Sequence, residues 1–118
     1  MFLERLSAVA DRVEGALAVS LVAADGIPIE SVSSSPNLDL ESAAGELVAL
    51  ARAIAQEQRE LDAGELCQLT VVGSRSTLLL SRLAGCYWLL AVLAPEAAVG
   101  RARFELRRAE LQFEDDLD

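Results

Sequence analysis

Apolar residues recur along this chain at two different periods, and the switches between them mark out eight elements. Phe2, Leu3, Leu6, Val9, Ala10 and Val13 share one face at helical spacing, and Gly15 closes that helix as a left-handed cap does. Residues 17–23 form a nearly continuous apolar run, the pattern of an interior strand covered on both faces. Asp25 and Gly26 tolerate positive φ and predict a hairpin turn into a second strand over residues 27–33. Pro28 cannot donate to a ladder, so this second strand belongs at a sheet edge.

After a short linker, Ser33 to Pro36, the period returns to helical over residues 40–61. Asn37 or Asp39 is placed to cap this helix. Its expected buried set is Leu40, Ala43, Leu47, Leu50, Ala51, Ile54, Gln58 and Leu61, with Gly64 ending it. Three strands follow over residues 66–73, 76–83 and 86–93, joined by tight turns. The last is apolar on both faces and should lie at the centre of its sheet. Pro95 precedes a final helix, with Glu96 in its first turn, that is expected to run to about Phe113 and to fray beyond. The order α-β-β-α-β-β-β-α specifies an α+β domain over residues 1–113, with residues 114–118 as an acidic tail.

Composition narrows the function. A chain of 118 residues is one domain, and 53% hydrophobic content excludes disorder. That share exceeds what one small core readily hides, so self-association is expected. The net charge of −9 disfavours nucleic acid and anionic membrane surfaces as partners. Every basic residue is arginine, which, with the alanine and leucine excess, points to a GC-rich bacterial genome. The longest apolar run, residues 83–95, is too short for a bilayer, which takes about 20 residues. No signal peptide precedes the first helix, so a cytoplasmic setting is expected, with Cys67 and Cys86 as buried free thiols on their strands.

Catalytic chemistry is missing. Without histidine the chain lacks the commonest general base and metal ligand. It carries no phosphate-cradling glycine loop and no nucleophile elbow. Two cysteines alone do not complete a zinc site. Glu57, Glu60 and Asp62 read as a solvated helix end, and Asp25 reads as a turn former. Arg52 is conceivable as an arginine finger, but a surface or interface role is the plainer account. No cofactor, metal or enzymatic activity is expected.

Three stretches carry a resemblance. Val13, Glu14, Gly15 and Ala16, followed by a strand and then by Asp25, Gly26, Ile27, Pro28 and Ile29, resemble the opening of bacterial roadblock/dynein light chain domains. Gly100 with the basic-aliphatic run from Arg101 to Arg108 is similar to the last helix of that family. The resemblance covers about residues 2–111. It implies a five-stranded antiparallel sheet in order 2-1-5-4-3, with the first and last helices on one face and the long helix on the other. It also implies a homodimer joined through third strands and long helices, working beside small Ras-like GTPases as an activator, effector-like subunit or scaffold.

Three functions follow as expectations. The first is a dimeric regulator or scaffold of a small GTPase. The second is a structural assembly subunit without effect on GTP hydrolysis. The third, a small-ligand sensor, is weakest, because the strand interiors offer almost no convergent polar groups. On the long helix, Ser42, Gly45, Ala49, Arg52, Ala53 and Gln56 are expected to face solvent and a partner, their short side chains permitting close approach. The expected dimer contacts are Leu66, Cys67, Gln68, Leu69, Thr70 and Val71 on the third strand and one helix flank, Glu41, Ala44, Val48, Arg52, Ala55 and Arg59. A two-fold at residue 50 sets Glu41 against Arg59 of the mate, Val48 against Arg52, and Ala44 near Ala55. The opposite flank, Ser42, Glu46, Leu50, Ala53, Glu57 and Glu60, leaves Glu57 and Glu60 without basic partners.

Overall fold

A computed structural model describes residues 2–57, 61–84 and 86–117. It contains α1 (Phe2–Arg12), β1 (Ala16–Val22), β2 (Pro28–Ser33), α2 (Leu40–Glu57), β3 (Gln68–Val72), β4 (Thr77–Arg82), β5 (Trp88–Leu93) and α3 (Val99–Leu117). The five strands form one antiparallel sheet in the order β2-β1-β5-β4-β3. The element order and the sheet order are those the sequence implied.

The sheet separates two apolar layers. Val19, Leu21, Leu79, Leu89, Ala91 and Leu93 point to one side, under α1 and α3, where Leu6, Val9, Leu106 and Phe113 meet them. Ala18, Val22, Leu80, Leu90 and Val92 point to the other side, under α2. Both faces of β1 and β5 are therefore covered, which is why their sequences show no polar alternation. Proline-led β2 is an edge, as expected; its Ser31 hydroxyl lies 2.7 Å from that of buried Ser20 on β1.

Two glycines set how the elements approach. Gly15, at φ +88°, turns the chain from α1 into β1, and a Cβ there would stand 2.8 Å from the Cβ of Ala97. Gly26, at φ +91°, shapes the β1–β2 turn with a 3.1 Å bond from the Ile27 N–H to Asp25 Oδ1. A Cβ on Gly26 would lie only 3.1 Å from the Cα of Gly45, so this turn rests on the backbone of α2.

Several expectations need correction. α2 is rolled by roughly 60° from the expected orientation, taking about 100° per residue. Its buried residues are Ala44, Leu47, Val48 and Ala51; Leu40, Ala43 and Ile54 are only half-buried, Leu50 is exposed, and Leu61, expected in the last turn of the helix, is exposed in a turn beyond its described end at Glu57. Gln58, Arg59 and Glu60 lie outside the described residues. The small side chains of Ala44 and Ala51 let the helix sit close to the sheet, and the Gly26 contact fixes that closeness. Cys67 and Cys86 are exposed rather than buried, because each falls just before its strand begins. α3 starts at Val99, which leaves Glu96 in the preceding turn, and it continues to Leu117 instead of ending near Phe113. Phe113 explains the extension: it is fully buried and stacks on Phe2, ring centroids 6.0 Å apart, which anchors the last turns to α1.

Candidate interaction surface

The expected partner-facing residues of α2 divide between its outer side and the flank beside the β1–β2 hairpin, where Gly45 lies against Gly26 and Arg52 reaches Ala24. Ser42, Ala49, Arg52, Ala53 and Gln56 are exposed and Gly45 is half-buried. Ser42 has a structural task as well. Its N–H donates to Asp39 Oδ1 at 3.1 Å and its hydroxyl to Oδ2 at 2.8 Å, which caps the helix through Asp39. These bonds, the backbone one foremost, hold the Asp39 carboxyl below its ordinary value. Gly45 has open space where a Cβ would stand, so its outer side is accessible.

The roll of α2 redistributes the expected dimer flank. Ala44 and Val48 are buried against the sheet and are not available to a mate. Arg52 turns toward the β1–β2 hairpin, where its Nη2 donates to the Ala24 carbonyl. Glu41 and Ala55 are exposed. The expected pairing of Glu41 with Arg59 of a mate involves a residue outside those described. The two-fold register at residue 50 therefore loses its central contacts.

An apolar flank takes their place. Leu50 is 45% exposed, Leu61 is 74% exposed, and Leu61 borders a shallow hollow with Ala53, Ile54 and Glu57. Sequence periodicity missed this flank because α2 carries two apolar stripes. Ala44, Val48 and Ala51 recur as regularly as Leu47, Leu50 and Ile54. The shortness of the first set was the available signal, since small residues suit the closest helix–sheet contact.

β3 is the second exposed edge of the sheet. Leu69 and Val71 pack partly against the α2-side core, and Val72 at its end is 72% exposed. Gln68 and Thr70 take the opposite side; Gln68 donates to Ser81 Oγ at 2.8 Å and accepts from Arg103 Nε at 2.9 Å. Leu66 and Cys67 precede the strand, Leu66 half-buried and packed toward α2. Among the described residues no strand pairs with the outer rim of β3, which presents unpaired backbone donors and acceptors.

A cleft of about 380 Å³ opens at one end of the α2 side, lined by Ala51, Arg52, Ala55, Arg82, Tyr87 and Trp88 among others. Arg82 is engaged there by Glu65 at 3.3 Å. The cleft offers the Arg52 and Arg82 cations, the aromatic faces of Tyr87 and Trp88, the Glu65 carboxylate and the Cys86 thiol. Among the described residues no group of three or more His, Cys, Asp or Glu side chains stands ready for a metal, and no helix is long and apolar enough to cross a membrane.

Comparison with known proteins bears on this geometry. The sequence matches the Roadblock/LC7 domain family over residues 3–94. Among solved structures, a Roadblock/LC7 domain from Streptomyces avermitilis superposes with a TM-score of 0.85 at 17% identity, covering 97% of this chain and 95% of that one. The gliding protein MglB from Thermus thermophilus gives a TM-score of 0.86 at 18% identity, covering 96% and 85%. MglC from Myxococcus xanthus gives 0.69 at 27% identity, covering 98% of each chain. No curated protein matches. The sheet order, the helix placement and the family match agree, and the chain belongs to the Roadblock/LC7 domain family.

Proposed function

We propose that this protein is a non-catalytic, homodimeric regulator or scaffold of a small Ras-like GTPase, and that the α2 side of its sheet is the working surface. One observation carries the reading: the outer side of α2 exposes Ser42, Ala49 and Ala53, with Gly45 half-buried beside them, at positions where an ordinary solvated helix carries long charged side chains. Short side chains let a partner approach the helix backbone. The likeness to MglB, a gliding protein, supports a GTPase-regulating role of the kind the family resemblance implies. Regulation here means binding one conformation of the partner more tightly than the other, since only differential affinity shifts an equilibrium.

The dimer contact is proposed through β3, the Leu50–Ile54 flank of α2 and Leu61 in the turn beyond that helix. Pairing β3 with its counterpart satisfies an open edge, and a two-fold makes the same patch serve on both copies. A second reading, a structural assembly subunit, draws on the same exposed edge and flank, which account for self-association without any GTPase.

Pure protein added to candidate GTPases from the same genome separates the two. The regulator reading expects a stable complex and an altered rate of GTP hydrolysis. Ala49→Glu and Gly45→Arg are expected to abolish that complex while the protein's own oligomer persists. Unchanged affinity in both variants would refute the α2 assignment.

A further inference from the structure

α3 carries its charges in the order its own dipole disfavours. Arg101, Arg103, Arg107 and Arg108 occupy its first half, and Glu110, Glu114 and Asp115 follow; the first turn has no acidic residue and the last turn no basic one. A helix stabilised for itself places carboxylates at the N-terminal end and cations at the C-terminal end. Internal pairing compensates little. Arg101 and Arg108 both reach the carboxylate of Glu105, which is 2% exposed, at 3.6 and 3.9 Å, and Arg107 reaches Glu110 at 3.7 Å. These distances exceed the roughly 2.7–2.9 Å of a charge-assisted hydrogen bond. Among the described residues Glu105 Oε2 has no hydrogen-bond partner. The guanidinium groups stay mostly in solvent.

The same outer surface carries two large apolar side chains, Phe104 at 59% exposure and Leu111 at 68%. They lie seven residues apart, so they share one ridge, opposite buried Ala102, Leu106, Ala109 and Phe113. At about 100° per residue, Arg107 and Glu114 form one flank of this ridge and Arg108 and Asp115 the other. Each flank is basic on one side of Leu111 and acidic on the other.

We propose that this face of α3 binds the same face of a second copy, antiparallel, about a two-fold axis at Leu111. Such an axis reverses the helix direction and lays each flank along itself. Arg107 then comes within one residue, about 1.5 Å along the axis, of the mate's Glu114 position, and Arg108 stands in the same relation to the mate's Asp115. Leu111 meets its own copy at the centre. A two-fold between Arg107 and Arg108 would instead face Phe104 with Leu111 but crowd four guanidinium groups, so charge selects the axis at Leu111. The mate's negative helix end is also brought toward the basic half of α3, which offsets the adverse dipole. This contact lies on the opposite side of the sheet from α2, and it stands whether or not the GTPase reading does.

Cross-linking tests the register directly. In a background with Cys67→Ser and Cys86→Ser, Leu111→Cys is expected to form an intermolecular disulfide under mild oxidation. Phe104→Cys is expected not to, because two copies of that position would stand about 21 Å apart. Failure of Leu111→Cys to cross-link, or equal cross-linking at Phe104→Cys, overturns the proposal. Sedimentation velocity tests the charges. Arg107→Glu with Arg108→Glu should weaken self-association about tenfold or more, as should Glu114→Arg with Asp115→Arg, and combining all four should restore most of it. Strictly additive losses would mean that these residues do not meet.

Discussion

The two faces of the sheet are finished to different degrees. On one face α1 and α3 lie side by side and bury Leu6, Leu106 and Phe113 deep in a layer of leucines. On the other a single helix covers the sheet with Ala44, Leu47, Val48 and Ala51, and it leaves Leu50, Leu61 and the β3 edge outside. Two helices complete a five-stranded surface, whereas one helix built from small residues leaves a strip beside β3 uncovered. The doubly covered face holds the domain together, and the singly covered face is the one proposed to receive another protein.

The largest expected effect sharpens this contrast. Leu106→Ala removes a fully buried side chain from the two-helix face and is expected to cost about 2–5 kcal/mol. Val48→Ala, under α2, removes less volume and is expected to cost roughly 1–2 kcal/mol. Urea unfolding of both variants measures the difference. Equal costs would mean that the α2 face contributes as much to folding as its counterpart does.

A smaller effect is electrostatic and belongs to the two-helix face. Glu110 on α3 is half-buried, and burial foremost, with Glu114 adding, pushes its carboxyl above the ordinary 4.5, while Arg107 and the Ser81 hydroxyl pull the other way. A raised folded value means that the folded state holds the proton more tightly than the unfolded one. Stability contributed by this group is therefore complete below pH 4.5 and falls as pH rises through the raised value. Thermal unfolding between about pH 4 and 7 should show Glu110→Gln gaining on the parent protein as pH rises. A constant difference across that range would remove the carboxyl from this account.

Much of this contrast was legible in the sequence. Pro28 placed β2 at an edge, the unbroken apolar run of β5 placed it at the centre, and Asp25 with Gly26 marked the hairpin. Hydrophobic period alone could not choose between the two stripes of α2. That choice depended on the contact between Gly26 and Gly45, which joins the hairpin to the helix across the fold. The exposed cysteines depart from the strand pattern for a related reason: that pattern extends one or two residues past the true strand ends, where a side chain leaves the sheet. At the end of α3 the acidic residues suggested fraying, but the fate of that turn was decided by Phe113 packing on Phe2. Ser42, Ala49 and Ala53 tolerate an error in helical phase, because they lie far from the sheet in either orientation. A flank beside the sheet does not, and the same error turned Ala44 and Val48 from expected contacts into core.

The central claim is that the singly covered face is completed by a second copy through β3 and the Leu50 flank. Sedimentation equilibrium at micromolar concentration tests it most directly, with Leu111→Glu as the background so that the outer face of α3 contributes nothing. Leu111→Glu alone is predicted to sediment as a dimer. Adding Leu50→Glu is predicted to give a monomer with an unchanged circular dichroism spectrum. A monomeric mass for Leu111→Glu alone, or a dimer that survives Leu50→Glu, would contradict the account.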